Sequence, residues 1–422
     1  MTGLPFETSV EGRLAELAEV DVIVGIPSFN NAGTIGHVVR AAAAGLAKYF
    51  PERRALIVNS DGGSADGTRD VVASSEFGSP GTILISHKTT PIQKIVTPYH
   101  GIPGKGSAFR AIFAIAERLK AKACAVVDSD LRSINPEWIH LLIGPVLLEG
   151  FEFVAPLYLR HKYDGTITNS IVYPLTRALY GKEVRQPIGG DFGLSGRLAS
   201  HYLAKKVWDS DVARFGIDIW MTTTAIADGF KVCEAFLGAK IHNAKDPGTD
   251  LAGMFVQVVS SAFELMGGHH EQWSRVNGTE RVPLYGFPHG VGLEPVEVNA
   301  ERMRDIFLQA CRDLPEVWEK ALPPESLQGV RALAAAPHAP FAFPDRLWVR
   351  LVYDFAIAYA RRALARDQLL RSLVPIYLGR TASFVMATRG SDADEVEAHI
   401  QALADEYVAQ KPYLLHAWSQ AL

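Results

Sequence analysis

Two carboxylates, Asp128 and Asp130, stand one residue apart at the end of the stretch A-C-A-V-V-D-S-D, Ala123 to Asp130. Converging carboxylates repel each other and desolvate badly unless a cation joins them. A divalent ion removes both costs, and hard oxygen donors suit Mg2+ or Mn2+. The same residues also suit a plain polar turn after a strand, so the surrounding groups have to decide between the two. Lys105 lies in P-G-K-G, just ahead of an expected helix. Exposed amides and an ammonium together make an anion site. This is not the phosphate loop of nucleoside triphosphatases, because Tyr99 stands where that motif needs its first glycine. Asp61, in S-D-G-G-S-A-D-G-T, could receive ribose hydroxyls or a base edge, or simply shape a turn. Asp191, in P-I-G-G-D-F-G-L-S, follows two glycines that would let the backbone come close to a ligand. Asp218 opens the helical stretch F-G-I-D-I-W-M-T-T-T, where a carboxylate could face a site from a helix start. His242, in A-K-I-H-N, is either a further ligand or an ordinary satisfied histidine.

These residues need a frame that brings them to one edge. Val22 to Ile26, Arg54 to Asn59, Gly81 to Ser86, Cys124 to Val127, Phe151 to Leu159 and Lys231 to Gly238 read as buried strands. Helical patterns alternate with them, at 35–50, 107–119 and from Asn135, a cap with Pro136 in its first turn. Open parallel sheets hold ligands at the carboxyl ends of their strands. Asp61, Asp128 and Asp130 all fall at such ends. Beyond Asp246 the pattern changes to helices: 251–265, 298–310, one long helix from Trp348 to Leu370, and 393–407. The expected fold class is therefore α/β with a helical C-terminal extension, divided into a catalytic domain at 1–245 and a helical region at 246–422.

Composition narrows the function. The chain has 422 residues, 48% hydrophobic, which excludes a mostly disordered protein. With 42 basic and 46 acidic residues it lacks the basic excess of a nucleic-acid binder. Three scattered cysteines form no zinc spacing, and Cys124 reads as a small core residue. No stretch suits a membrane span, and the N-terminus has no secretory pattern, so a cytoplasmic location is expected. No G-x-G-x-x-G follows the first strand, which disfavours a dinucleotide, and no serine elbow or Cys-His pair stands out. A metal, hydroxyl-binding carboxylates and a phosphate-facing lysine describe a nucleoside-diphosphate ligand. A metal on that diphosphate would stabilise the charge developing as it leaves, so glycosyl transfer is the natural reaction.

In this setting the first 245 or so residues resemble a family 2-type glycosyltransferase of the A-type fold. The pieces are I-P-S-F-N, S-D-G-G-S-A-D-G-T, P-G-K-G, and D-S-D followed by N-P. V-D-S-D-L, G-P-V-L-L-E-G, Y-P-L, P-I-G-G-D-F-G and A-K-I-H-N bring the likeness closer to the glucosyl-3-phosphoglycerate synthases and the related mannosylglycerate-forming enzymes. The resemblance implies an A-type glycosyltransferase fold, a Rossmann-like mixed sheet with flanking helices. It implies Pro27, Ser28 and Asn31 around the nucleobase, Asp61 on the uridine portion, and Lys105 and Ser129 on the donor. Asp130 would be the main metal ligand, with Asp128 supporting metal and nucleotide and His242 closing the metal site. Asp191 would face sugar and acceptor, and Thr166 and Thr168 would line the acceptor pocket.

The implied reaction moves glucose or mannose from a nucleotide sugar to D-glycerate or 3-phosphoglycerate, with retention of configuration and with Mg2+ or Mn2+. UDP-glucose, GDP-glucose and GDP-mannose all remain open as donors. An inverting enzyme with Asp191 or Asp218 as base, acting on a sugar or lipid, is the alternative, and a non-catalytic nucleotide-sugar binder is a third reading. Two departures stand out. Asn31 replaces a glutamate of the phosphoglycerate enzymes, and Thr166 follows Gly165 where they place an arginine for the acceptor phosphate. A hydroxyl does not replace a bidentate cation. Arg160, Lys162 or Arg185 could supply the charge instead. A homodimer is expected.

Overall fold

The structure, a computed structural model, describes residues 6, 8–75, 93–98, 104–241, 252–335 and 341–421. The strands, in chain order, are β1 (Val22–Ser28), β2 (Ala55–Asp61), β3 (Gln93–Pro98), β4 (Ala123–Val126), β5 (Phe153–Leu159), β6 (Lys182–Glu183), β7 (Phe192–Ser195), β8 (Val232–Ala239), β9 (Glu280–Arg281) and β10 (Leu284–Tyr285). Two compact units emerge. The first comprises 1–159, 186–243 and 282–293, and the second 160–185, 244–281 and 294–422. Residues 160–185 group with the helical unit and 282–293 with the sheet unit, so neither unit is one continuous run of the chain.

The first unit carries an eight-stranded sheet in the order β10-β8-β5-β7-β4-β1-β2-β3. All neighbours pair parallel except β7, which runs antiparallel between β4 and β5. β1, β2 and β4 are buried along their whole length, as unbroken apolar runs in a covered parallel sheet must be. Cys124 lies among them, fully buried. Val24, Ile57, Ala125 and Val154 pack under the helices Ala32–Tyr49 and Pro136–Leu148 through Val38, Leu46, Ile139 and Leu142. The second helix starts as its sequence indicates, Asn135 accepting from the Glu137 amide at 2.9 Å. Register lays Ser28 beside Asp61, so the loops after β1 and β2 leave the sheet side by side. The strand expected at 81–86 lies outside the described residues.

Among the described residues, the second unit is helical apart from the short β6–β9 pair. Where one helix was expected at 348–370 there are two, Asp345–Ala360 and Arg366–Ala387. Arg362 breaks them with a left-handed φ of 55°, and the Ala363 amide turns back to the Ala358 carbonyl at 2.9 Å. No glycine or proline announces that turn. Among the described residues, no helix is long and apolar enough to cross a membrane.

Candidate active site

At the carboxyl ends of β1 and β2 the loops are laced together by short polar side chains. Asp61 is buried and wholly occupied. Its Oδ1 accepts from the Gly63 and Ser64 amides at 3.0 and 2.9 Å, its Oδ2 from the Ser28 and Ser64 hydroxyls at 2.8 and 2.6 Å. Asn59 donates to Ser28 Oγ at 2.9 Å and completes the set. Asp61 therefore shapes this loop directly, and a ligand would have to exchange one of these bonds to reach it. The Asn31 side chain accepts from the Phe29 amide at 3.1 Å and from Ser129 Oγ at 2.8 Å. Thr34 Oγ1 donates to the Ser129 carbonyl at 2.8 Å. These bonds tie the loop after β1 to the turn after β4 and fix Ser129 between Asp128 and Asp130.

β4 ends at Val126, so Asp128 is already outside the strand and Asp130 lies in a turn. The two carboxylates do not simply share a strand face. Asp128 is held by two ammonium groups, Lys105 at 2.7 Å on Oδ1 and Lys240 at 2.8 Å on Oδ2. Burial alone would raise its pKa, yet Lys105 and Lys240 hold it well below the usual carboxylate range. Lys105 is the first residue of the helix Lys105–Arg118. Its ammonium also lies 3.3 Å from Asp218 Oδ1 and donates to the Gly190 carbonyl at 3.1 Å. Burial opposes its charge, but Asp128 and Asp218 outweigh that and keep it protonated. Asp218 sits near the start of the helix Ile217–Ala227, and burial raises its pKa even against the pull of Lys105.

Lys105 thus serves three acceptors of the protein. The helix start beside it is covered as well. The Gly106 amide donates to the Arg214 carbonyl at 3.3 Å, and a Cβ at Gly106 would stand 1.9 Å from the Val212 carbonyl oxygen. Close packing of backbone on backbone is what this glycine of P-G-K-G permits. Gly190 has the same kind of role. Its φ is +92°, and a Cβ there would lie 2.3 Å from Asp128 Oδ2.

Asp191 is completely buried. Its Oδ1 accepts from the Asp128 amide at 2.7 Å, and its Oδ2 from Lys240 at 2.8 Å and from the Tyr158 hydroxyl. Asp128, Asp191, Asp218, Lys105 and Lys240 form one cluster, where the sequence had pointed to four of the five. Lys240 and Tyr158 were missed. A single lysine leaving a strand carries no signal of its own, although it sits inside the A-K-I-H-N stretch already singled out. Asp130 is half-buried beside this cluster in sequence. The Arg132 amide donates to the Ile241 carbonyl at 2.9 Å, and the Ile241 amide to Ser133 Oγ at 2.9 Å. The turn after Asp130 therefore runs alongside Ile241. His242 itself lies outside the described residues.

Thr166 and Thr168 belong to the helical unit and are buried there. Thr166 Oγ1 is 2.5 Å from the Tyr377 hydroxyl. The cations offered in place of the missing arginine are engaged in the same unit. Lys162 donates to the carbonyls of Thr388, Arg389 and Ser391 at 2.7, 3.1 and 3.0 Å, closing the end of helix Arg366–Ala387. Arg185 grips Glu397 and reaches Asn169 at 2.9 Å. Arg160 lies 3.6 Å from Asp164.

No family model matches the chain. The chain is similar to the glucosyl-3-phosphoglycerate synthase of Petrotoga mobilis, 26% identical over 179 residues, 42% of this chain and 46% of that protein. It thus spans about half the length of the curated relative it matches. Among solved structures, the glucosyl-3-phosphoglycerate synthase of Mycobacterium tuberculosis in complex with Mn2+, uridine diphosphate and phosphoglyceric acid is 20% identical. The match covers 61% of this chain and 82% of that one, with a TM-score of 0.44. The same protein with Mg2+ and uridine diphosphate is 20% identical, covering 60% and 82%, with a TM-score of 0.42.

Proposed function

We propose that this protein is a metal-dependent glycosyltransferase that moves a hexose from a nucleoside-diphosphate sugar to a small hydroxy acid of the glycerate type. The observation that carries the reading is the buried cluster of Lys105, Asp128, Asp191, Asp218 and Lys240 at the carboxyl edge of a mostly parallel sheet. Burying this much charge away from simple one-to-one pairs costs stability, which a folding role alone would not require. The similarity to the Petrotoga enzyme supports glucosyl transfer to an acceptor of the glycerate type.

Among the described residues, no three carboxylates, histidines or cysteines stand together as a complete metal cage. Asp128 is committed to two lysines. The remaining donor chemistry still fits Mg2+ or Mn2+, which commonly keep waters and bind through one or two carboxylates plus substrate phosphates. Asp130 would hold the ion, with His242 as the ligand that the resemblance suggests. When bound, the ion supplies positive charge to the leaving diphosphate. Ser28, Asn31 and Ser129 shape the loops on which the nucleotide would rest, and Lys105 orients Asp128 and Asp218.

Retention is the reading we favour. Asp191, one base considered for inversion, has both oxygens engaged and no exposure. The proton of the acceptor would then pass to the leaving phosphate. Asp218 supports a second reading, since its raised pKa suits a general base. NMR of the product from an α-linked donor distinguishes them: an α-glycoside is expected, and a β-glycoside would establish inversion. For the acceptor, the engagement of Arg185, Lys162 and Thr166 inside the helical unit favours unphosphorylated D-glycerate over 3-phosphoglycerate. Comparing turnover with the two acceptors tests this, and a strong preference for 3-phosphoglycerate would overturn it.

A further inference from the structure

Lys240 is the most buried cation of the cluster, its side chain 4% exposed. Its ammonium has three close acceptors, Asp128 Oδ2, Asp191 Oδ2 and the Gly189 carbonyl, each at 2.8 Å. It also lies 5.2 Å from the ring centre of Tyr158, whose hydroxyl donates to the same oxygen of Asp191. The other oxygen of Asp191 accepts the backbone amide of Asp128 at 2.7 Å. Asp191 therefore grips the main chain of the Asp128 turn, while Lys240 grips both its side chain and Asp191. Tyr158 closes the arrangement from β5, itself buried against Trp138. A carboxylate with three donors, one of them an ammonium, is fixed in place far more firmly than one facing water.

We propose that Lys240, with Tyr158 and Asp191, is a positioning unit that sets the backbone of the turn Asp128–Ser129–Asp130, and so places Asp130 for a metal-bound diphosphate. Its functional half rests on the proposed glycosyltransferase reading. Its structural half stands on the hydrogen bonds alone. In this arrangement Asp191 is a positioning residue, which accounts for its complete burial beside a sequence patch that otherwise suggests ligand contact.

Two measurements on the full chain decide it. The first is hydrogen exchange at the peptide covering residues 123–134. Tyr158→Phe and Lys240→Met should each speed exchange of the Asp128 amide, by roughly three- to tenfold for the milder Tyr158→Phe. Peptides from β1 and β2 should keep their wild-type rates. Unchanged exchange in Tyr158→Phe would overturn the positioning unit, even if Lys240→Met fails to fold. The second is calorimetric titration of UDP with Mn2+, and of GDP with Mn2+. Lys240→Met should weaken whichever nucleotide binds by roughly 10- to 100-fold. Tyr158→Phe should weaken it by roughly three- to tenfold, and the double variant no more than Lys240→Met alone. Loss confined to Lys240→Met, with Tyr158→Phe at the wild-type affinity, would show that Lys240 touches the nucleotide itself and would overturn the proposal. A wild type that binds neither nucleotide defeats the glycosyltransferase reading, and the exchange rates then still decide the structural half.

Discussion

The sheet unit and the helical unit use buried charge in opposite ways. In the helical unit charges fasten local structure and reach partners open to solvent: Lys162 closes a helix end, Arg185 holds Glu397, Arg380 joins Asp345 at 2.6 Å, and Arg177 divides itself between Glu183 and the largely exposed Asp405. In the sheet unit three carboxylates share two ammonium groups, and Lys105 and Lys240 each serve more than one acid. Pairs of the first kind fasten elements together. A shared cluster at strand ends leaves charge to be balanced by something else, as an active site does. The contrast teaches that a candidate site is recognised where charges are shared among groups that are all largely buried, since sharing alone also occurs at Arg177 beside the exposed Asp405.

Four substitutions would break or sharpen this contrast. Lys105→Met should have the largest effect, removing activity and costing about 3–5 kcal/mol, because Asp128 and Asp218 lose a buried partner. Urea unfolding measures the cost, and a stable, active variant would reduce the cluster to decoration. Next is Asp354, a buried acid of the helical unit that accepts from Ser326 at 2.5 Å and Tyr413 at 2.6 Å. Burial pushes its pKa up to about 6. A raised pKa means that the folded chain holds the proton more tightly than the unfolded chain. This stabilisation is complete below about pH 3.8 and is lost as pH rises through 6, a change of up to about 3 kcal/mol. Asp354→Asn should flatten that decline in stability between pH 4 and 7 without altering turnover, and a changed rate would blur the contrast.

Asp130→Ala should lower kcat/KM by about a hundredfold or more with little change in Tm, since a half-buried turn carboxylate contributes little packing. Equal losses of stability and activity would make Asp130 structural. The smallest effect is expected for Arg185→Ala, about 1 kcal/mol of stability, because Glu397 is nearly half exposed. Its acceptor KM should stay at the wild-type value. A large rise in KM for 3-phosphoglycerate alone would assign Arg185 to the acceptor.

The strands that position the site were legible because their sequences are unbroken apolar runs: V-I-V-G-I, A-L-I-V-N and A-C-A-V all became buried strands close to the expected bounds. β7 was hidden, four residues following a glycine pair and bordered by Gly196, and its antiparallel place between β4 and β5 is a long-range fact. The break at Arg362 was hidden for a simpler reason, an arginine in a conformation that glycine usually signals. Of the residues in the cluster, Asp128 was legible from a strand end, Lys105 and Asp218 from helix starts, and Asp191 from the glycines before it. Their partners were not. That Lys240 and Tyr158 meet Asp191 depends on three strands coming together, and nothing local in the sequence encodes it. The glycines before Asp191 were read as making room for a ligand, whereas Gly190 makes room for Asp128.

The central claim is tested most directly by nucleoside-diphosphate release. Purified protein would be given UDP-glucose, GDP-glucose and GDP-mannose in turn, each with D-glycerate, with 3-phosphoglycerate and without acceptor, before and after chelation of divalent metal. Release that requires an acid acceptor, stops on chelation and returns with Mg2+ or Mn2+ is the expected result. Release that persists after thorough metal removal, or that never occurs with either acid while a sugar or lipid acceptor supports it, would contradict the account.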